Sequence, residues 1–333
     1  MKSPFSLKGK KILVVTHKGA DVDAIASSGI LLLALRKKNF VQIGVPEHIS
    51  KPAEKLAERM EIPFTHEPDF SFFDTLFVAD LNSNHMLGCL AEKAREFKGK
   101  VFQFDHHSTA RDPIRADFRF CNPEAASTTE VLWMTLKRYK KPINEKIAIL
   151  AACGLLTDSA HFSFAGRNSF RVMFEAMQHV RMPYYELLEF FSVERDFSER
   201  IARLKAAHRS RIYRIGKSIV VTSEVGSFEA QAASALVQIG ADVAFVATQE
   251  DSSLRVSARA KTAFAEEFGI DLARDVFQKL QVFFEGEGGG HATAASFTAK
   301  TDSSESLLEK CVSLLLEKMK EQKKKGIEFK EYK

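Results

Sequence analysis

Four short apolar runs in the first half of the chain alternate with stretches of helical periodicity. KKILVVTH (10–17), VQIGVP (41–46), DTLFVAD (74–80) and KVFQFDHH (100–107) have the length and the β-branched or aromatic content of buried strands. Between them, residues 24–38, 52–60 and 86–97 repeat their apolar positions at the spacing of one helix face. Strand alternating with helix predicts an α/β fold built on a doubly wound, mainly parallel sheet. Further helices are expected at 127–139, opened by a Ser-Thr-Thr cap, and at 144–156. Residues 184–213 read as helical, with eight Arg or Lys against two acids between Arg195 and Lys217. The runs IVVTSE, ADVAFVATQ and LRVSARA then start a second, smaller α/β unit. It continues through a short helix at 270–280, the Gly-rich EGEGGGH and an amphipathic helix at 303–325. The expected organisation is a first domain at 1–185, a helical linker at 186–215, and a second domain at 216–333 ending in a basic tail.

Composition narrows the class only modestly. A chain of 333 residues that is 45% hydrophobic and 27% charged is ordinary for a globular protein and long enough for two cores. No apolar run approaches the ~18 residues of a membrane span. MKSPFSLKGKK lacks the apolar stretch of a signal peptide, so a cytoplasmic location and no membrane partner are expected. Cys89, Cys121, Cys153 and Cys311 include no C-x-x-C pair; four reduced thiols are expected, and neither a disulfide framework nor a zinc ribbon. The net charge of +5 is concentrated in residues 317–333, where seven Lys oppose four Glu. The rest is nearly neutral and gives little grip on a long polyanion.

The chemistry lies where the apolar runs end. The first run ends at His17 and leads into Asp21 and Asp23, the third ends at Asp80, and the fourth ends at Asp105, His106 and His107. In parallel sheets, ligands bind beyond the carboxyl ends of the strands. An Asp-His-His tripeptide is expected only ~0.01 times by chance in a chain of this composition. Asp21 and Asp23, two residues apart, suit two neighbouring cations with one carboxylate for each. Carboxylates with a minority of imidazoles favour Mn²⁺ or Mg²⁺ over a thiolate-selected metal. Two such ions about 3.5–4 Å apart suit phosphoester hydrolysis.

HKGADVDA, the VAD at 78–80, the DHH at 105–107 and the TDS at 157–159 resemble, in order and spacing, the four motifs of the DHH phosphoesterases. VSAR at 256–259 and GGGH at 288–291 are similar to the DHH-associated substrate-binding domain of that family. The departures are Ala20, where the family commonly has Pro, and Ser296, where it commonly has Gly. The resemblance implies one ion held by His17, Asp21 and Asp80, and a second held by Asp23, Asp80, His106 and Asp158, with Mn²⁺ the expected metal. It implies that His107 approaches the substrate phosphate and that Asp105 orients its neighbours. It also implies that Arg259, Gly288, Gly289, Gly290 and His291 bind the nucleotide across a cleft between the domains.

The expected activity is metal-dependent hydrolysis of short oligonucleotides or 3′-phosphonucleotides, as in the nanoRNase and pAp-phosphatase branch. That expectation rests on two compact domains without a third module. A RecJ-like single-strand exonuclease and a non-catalytic nucleotide-binding or scaffold protein are the alternatives. The Ser-Arg-Lys-Lys run of family-II pyrophosphatases is missing from the sequence. Nothing in the pattern decides between a monomer and a homodimer.

Overall fold

The structure is a computed structural model that describes residues 3–108, 110–250, 252–322 and 327–332. The chain divides into two compact units, Met1–Val193 and Glu194–Lys333.

In the first unit, strand and helix alternate: β1 (Lys11–Val15), α1 (Val22–Leu35), β2 (Phe40–Gly44), α2 (Lys51–Met60), β3 (Thr75–Ala79), α3 (Ala91–Glu96), β4 (Lys100–Asp105) and β5 (Phe118–Cys121). Four helices follow: α4 (Thr128–Arg138), α5 (Glu145–Asp158), α6 (Arg167–Met177) and α7 (Tyr184–Leu188). The five strands run parallel in the order β2-β1-β3-β4-β5. The sheet is covered on both faces, which is why its strands read as continuous apolar runs rather than alternating ones. Ile12 and Val14 join the larger core with α1, α4 and α5, while Leu13 and Val15 pack against Phe70, Phe73 and Leu87 on the other face. Five Phe side chains tie β3, β4 and β5 together: Phe77 stacks on Phe102 and Phe104, which in turn stack on Phe118 and Phe120.

The second unit opens with α8 (Phe197–His208), β6 (Arg211–Ile215), β7 (Ser218–Glu224), α9 (Glu229–Ile239), β8 (Val243–Glu250) and β9 (Ser253–Ala260). It continues with α10 (Thr262–Phe268), a π-helical turn (Leu272–Phe277), α11 (Gln278–Leu280), β10 (Gly286–His291), β11 (Ala294–Ala299), α12 (Ser304–Gln322) and β12 (Phe329–Tyr332). Its sheet has the order β10-β11-β9-β8-β7-β6-β12, in which only β7 and β8 pair in parallel.

Several elements differ from expectation. The stretch 186–215 is not a continuous helical linker. It splits among the end of α7, α8 and β6, and in β6 Tyr213 and Ile215 are buried while Arg211, Ile212 and Arg214 are exposed. That two-residue alternation was hidden by the density of basic residues. The helix expected at 86–97 is broken at Gly88, whose φ of +51° ends a 3₁₀ turn before α3 begins. EGEGGGH contains a strand rather than a free loop. A Cβ at Gly286, Gly288 or Gly290 would stand 2.1–2.6 Å from a backbone oxygen of β11, so glycine is what lets β10 pair there. The helix expected at 303–325 is seen as α12; its last residues and part of the basic tail lie outside the described residues. No helix among the described residues is long and apolar enough to cross a membrane.

Candidate metal centre and substrate residues

The carboxyl ends of β1, β3 and β4 converge, and the polar residues following them meet the starts of α1 and α4 and the end of α5. His17 follows β1 by two residues. Asp21 caps α1, accepting from the amide of Ala24 at 3.1 Å, and Asp23 lies in the first turn of the same helix. Asp80 directly follows β3, Asp105 is the last residue of β4, and Asp158 is the last of α5.

These elements bring together every proposed ligand in the first unit. His17, Asp21 and Asp80 offer ligand atoms within 4.8 Å of one another, as do Asp23, Asp80, His106 and Asp158, and likewise Asp80, His106 and His107. Asp80 belongs to all three sets. Its Oδ2 lies 3.6 Å from His17 Nε2 and its Oδ1 lies 3.6 Å from His106 Nε2. The far ring nitrogens are anchored on main-chain carbonyls, His17 Nδ1 on Lys18 at 3.0 Å and His106 Nδ1 on Ala125 at 3.3 Å. Each carbonyl fixes its ring with Nε2 turned toward the carboxylates.

The charge balance favours a cation. Asp23 and Asp80 are almost fully buried, and Asp21 and Asp158 join them in one cluster. Burial, followed by the charge of Asp80, pushes the Asp23 pKa well above the usual carboxylate range. The same two causes raise Asp21. Burial also opposes ionisation of Asp80, yet His17 and His106 hold it below its ordinary value. Burial disfavours charge on His17, but the Asp80 carboxylate outweighs it and lifts that pKa to about 9. Burial is likewise outweighed at His106, where Asp158 and Asp80 raise the pKa to about 8. With Asp80 ionised, the raised proton affinities of Asp21, Asp23, His17 and His106 offset its charge.

The donor set fits a divalent cation by a second observation. His106 Nε2 is buried and 3.0 Å from Asp158 Oδ2, but it has no hydrogen-bond partner. Buried ring nitrogens are rarely left without one. The His106 ring nitrogen lies within 4.8 Å of oxygens of Asp23, Asp80 and Asp158, close enough for all four atoms to hold one cation. No thiol lies in any of the three sets, so hard or borderline ions match the donors.

His107 is placed differently from His106. Its Nδ1 pairs with Asp105 Oδ1 at 2.8 Å, and its amide donates to the same oxygen at 3.2 Å. Asp105 is buried, whereas the His107 side chain is 40% exposed. The Asp105 bond raises the His107 pKa more than burial lowers it. His107 also lines a cavity of about 340 Å³ with Asn82, Gln103, Arg119 and Cys121.

In the second unit, Arg259 on β9 and His291 on β10 are both register partners of Ala294 on β11. Directly opposed residues project to the same face of a sheet, so the two side chains flank the small Ala294. Gly288, Gly289 and Gly290 lie on β10, an edge strand that leaves alternate amides unpaired.

Sequence reasoning missed the residues that hold the proposed ligands. Thr128 and Thr129 at the start of α4 donate their amides to Asp23, at 2.7 and 3.1 Å, and the Thr128 hydroxyl donates to Asp80 Oδ1 at 2.8 Å. The Ser-Thr-Thr cap was the available signal. Ser127 does cap the helix through the amide of Glu130. The next two amides, free as in any first helical turn, serve the distant Asp23.

Residues 11–155 match the DHH family, N-terminal domain, and residues 226–321 match the DHHA1 domain. An uncharacterized protein of Methanocaldococcus jannaschii is 27% identical over 331 residues, covering 96% of this chain and 97% of that protein. Among solved structures, an exopolyphosphatase-related protein from Bacteroides fragilis aligns with a TM-score of 0.59 at 16% identity, over 94% of this chain and 92% of that one. An exonuclease RecJ bound to manganese aligns with a TM-score of 0.41 at 14% identity, over 93% and 90%. The chain belongs to the DHH family of metal-dependent phosphohydrolases, with a DHH domain followed by a DHHA1 domain.

Proposed function

We propose that the protein is a two-metal phosphoesterase acting on short oligonucleotides or 3′-phosphonucleotides. The observation that carries this reading is the sharing of Asp80 between two ligand sets, with one oxygen toward His17 and the other toward His106. In it, His17, Asp21 and Asp80 hold one divalent ion, and Asp23, Asp80, His106 and Asp158 hold the other. Mn²⁺ is the expected metal and Mg²⁺ the alternative. Such a pair, when bound, supplies Lewis acidity toward a phosphoryl oxygen and lowers the pKa of a water.

The remaining work falls to this chain's own side chains. His107, with Nδ1–H donated to Asp105, turns Nε2 outward; protonated, it donates to a phosphate oxygen and offsets charge developing there. Asp105 keeps that tautomer and orientation. Arg259 and His291, flanking Ala294, hold a second phosphate or the sugar of the substrate, and free amides of Gly288–Gly290 accept an anionic oxygen.

A substrate panel with and without chelator tests the proposal. We expect hydrolysis of pAp or dinucleotides that is abolished by chelation and restored by Mn²⁺. Preference for long single strands would assign a RecJ-like exonuclease activity instead. Metal binding without turnover on any member would favour a nucleotide-binding or scaffold role.

A further inference from the structure

Asp80 combines a left-handed backbone conformation with a buried location. It follows β3 with φ at +61°, in the left-handed region, and is 1% exposed. Its amide donates to Phe104 at 2.9 Å, which fixes the backbone but not the carboxylate plane. Rotation about the last carboxylate bond is broad and roughly two-fold, so the backbone alone does not decide which oxygen faces which ring. The imidazoles of His17 and His106 stand at 3.6 Å, outside hydrogen-bond range.

The Thr128 hydroxyl supplies the missing constraint. It is fully buried and donates to Asp80 Oδ1 at 2.8 Å. That oxygen is the one facing His106, while Oδ2 faces His17. A carboxylate oxygen has two lone-pair sites, so Oδ1 can accept from Thr128 and still offer a second pair to a cation. The amide of Thr128 donates to Asp23 Oδ2. One residue therefore holds the carboxylate common to both sets and a carboxylate unique to one.

We propose that Thr128 is a positioning residue for the paired metal centre, its hydroxyl setting the Asp80 carboxylate so that one oxygen serves each ion. This rests on the two-ion reading above. Losing the hydroxyl frees Asp80 to turn, which weakens the site containing His106 and disconnects the two ions magnetically.

The test compares Thr128→Val, Thr128→Ala and Thr128→Ser in the full chain, titrated with Mn²⁺ by calorimetry and read by electron paramagnetic resonance. Val and Ala keep the amide on Asp23 and remove the hydroxyl, Val putting a methyl group in its place and Ala losing the native methyl as well, while Ser retains the hydroxyl. Melting of the metal-free proteins identifies any variant that does not fold, and having two hydroxyl-free variants keeps the comparison usable. We expect wild type and Thr128→Ser to bind two ions with an exchange-coupled spectrum. Val and Ala should bind the second ion ~10–100-fold more weakly, the range for groups that orient ligands, and give an isolated six-line Mn²⁺ spectrum. Wild-type affinity and coupling in a folded Val or Ala variant would overturn the role of Thr128, as would a Ser variant that behaves like Val. If wild type itself binds a single ion, the two-ion reading fails before Thr128 is at issue.

Discussion

Gly154 on α5 lies so close to Asp23 that a Cβ built on it would stand 2.4 Å from Oδ1 of the carboxylate and 2.6 Å from Thr129 Cγ2. The glycine is the floor of the pocket whose walls are the amides of Thr128 and Thr129.

Gly154→Ala should therefore displace Asp23 from its amides. Alanine is the better helix former by ~1 kcal/mol, so any loss comes from the clash. Gly29 on α1 provides the comparison, because its Cβ would meet the tip of the Ile62 side chain at a similar 2.5 Å. Both variants should suffer overpacking of ~1–3 kcal/mol. Only Gly154→Ala should also weaken Mn²⁺ binding, by ~10-fold or more. Calorimetric titration beside thermal melts separates the two, and unchanged Mn²⁺ affinity in Gly154→Ala would show that the pocket tolerates a methyl group.

His106 and His107 should differ in function although they adjoin in sequence. His106 Nε2 faces Asp80 and Asp158, whereas His107 is committed to Asp105 and is partly exposed. His106→Ala should lower metal stoichiometry. His107→Ala should keep the ions and reduce kcat by ~10²–10⁴, the range for a lost proton donor or charge stabiliser. Elemental analysis of both proteins checks this division, and it fails if they lose metal equally.

The first unit was legible because buried parallel strands write themselves as continuous apolar runs, and because His17, Asp80 and Asp105–His107 stand at or just beyond their ends. Asp158 was legible only through its motif, since a single Asp at a helix end reads as a cap. Thr128, Thr129 and Gly154 were not legible. Their contacts with Asp23 span more than 100 residues of chain, and each carries an ordinary local meaning as a cap neighbour or a small helix residue. β10 and β12 were missed because glycine and charged residues lower strand propensity, and both lie at the edges of their sheet, where pairing on one side suffices.

Acid should unfasten the second unit at Asp275. This carboxylate is 4% exposed and accepts from the Asp271 amide at 2.8 Å, with Arg274 at 2.9 Å and Lys318 at 3.5 Å. Burial would raise its pKa, but Arg274, the amide and Lys318 together hold it below the ordinary carboxylate value. A folded pKa below the unfolded one stabilises at pH above the unfolded value of ~3.9 and loses that contribution as pH falls through the folded value. Asp275→Asn should cost about 1–3 kcal/mol at pH 7, and the gap to wild type should close at an acid pH below the folded pKa of Asp275. Hydrogen exchange across residues 270–299 at the two pH values reads this directly. A gap independent of pH would assign the loss to packing.

The second unit should select substrate while taking no part in the chemical step. All proposed ion ligands precede residue 160, whereas Arg259 and His291 belong to the other folding unit, where they flank Ala294. Remote binding energy helps only substrates long enough to reach it. Arg259→Ala and His291→Ala should each cut kcat/KM on pAp or a dinucleotide by ~10–100-fold, the loss of roughly 1.5–3 kcal/mol for a charged hydrogen bond. Bis-p-nitrophenyl phosphate, which has no second phosphate or sugar to present, should be hydrolysed within about two-fold of the wild-type rate, because a substrate that never reached these residues loses nothing with them. Metal content should stay unchanged in both proteins. Equal losses on the nucleotide and the minimal ester, with the ions retained, would place Arg259 or His291 in the reaction itself and remove the division of labour between the two units.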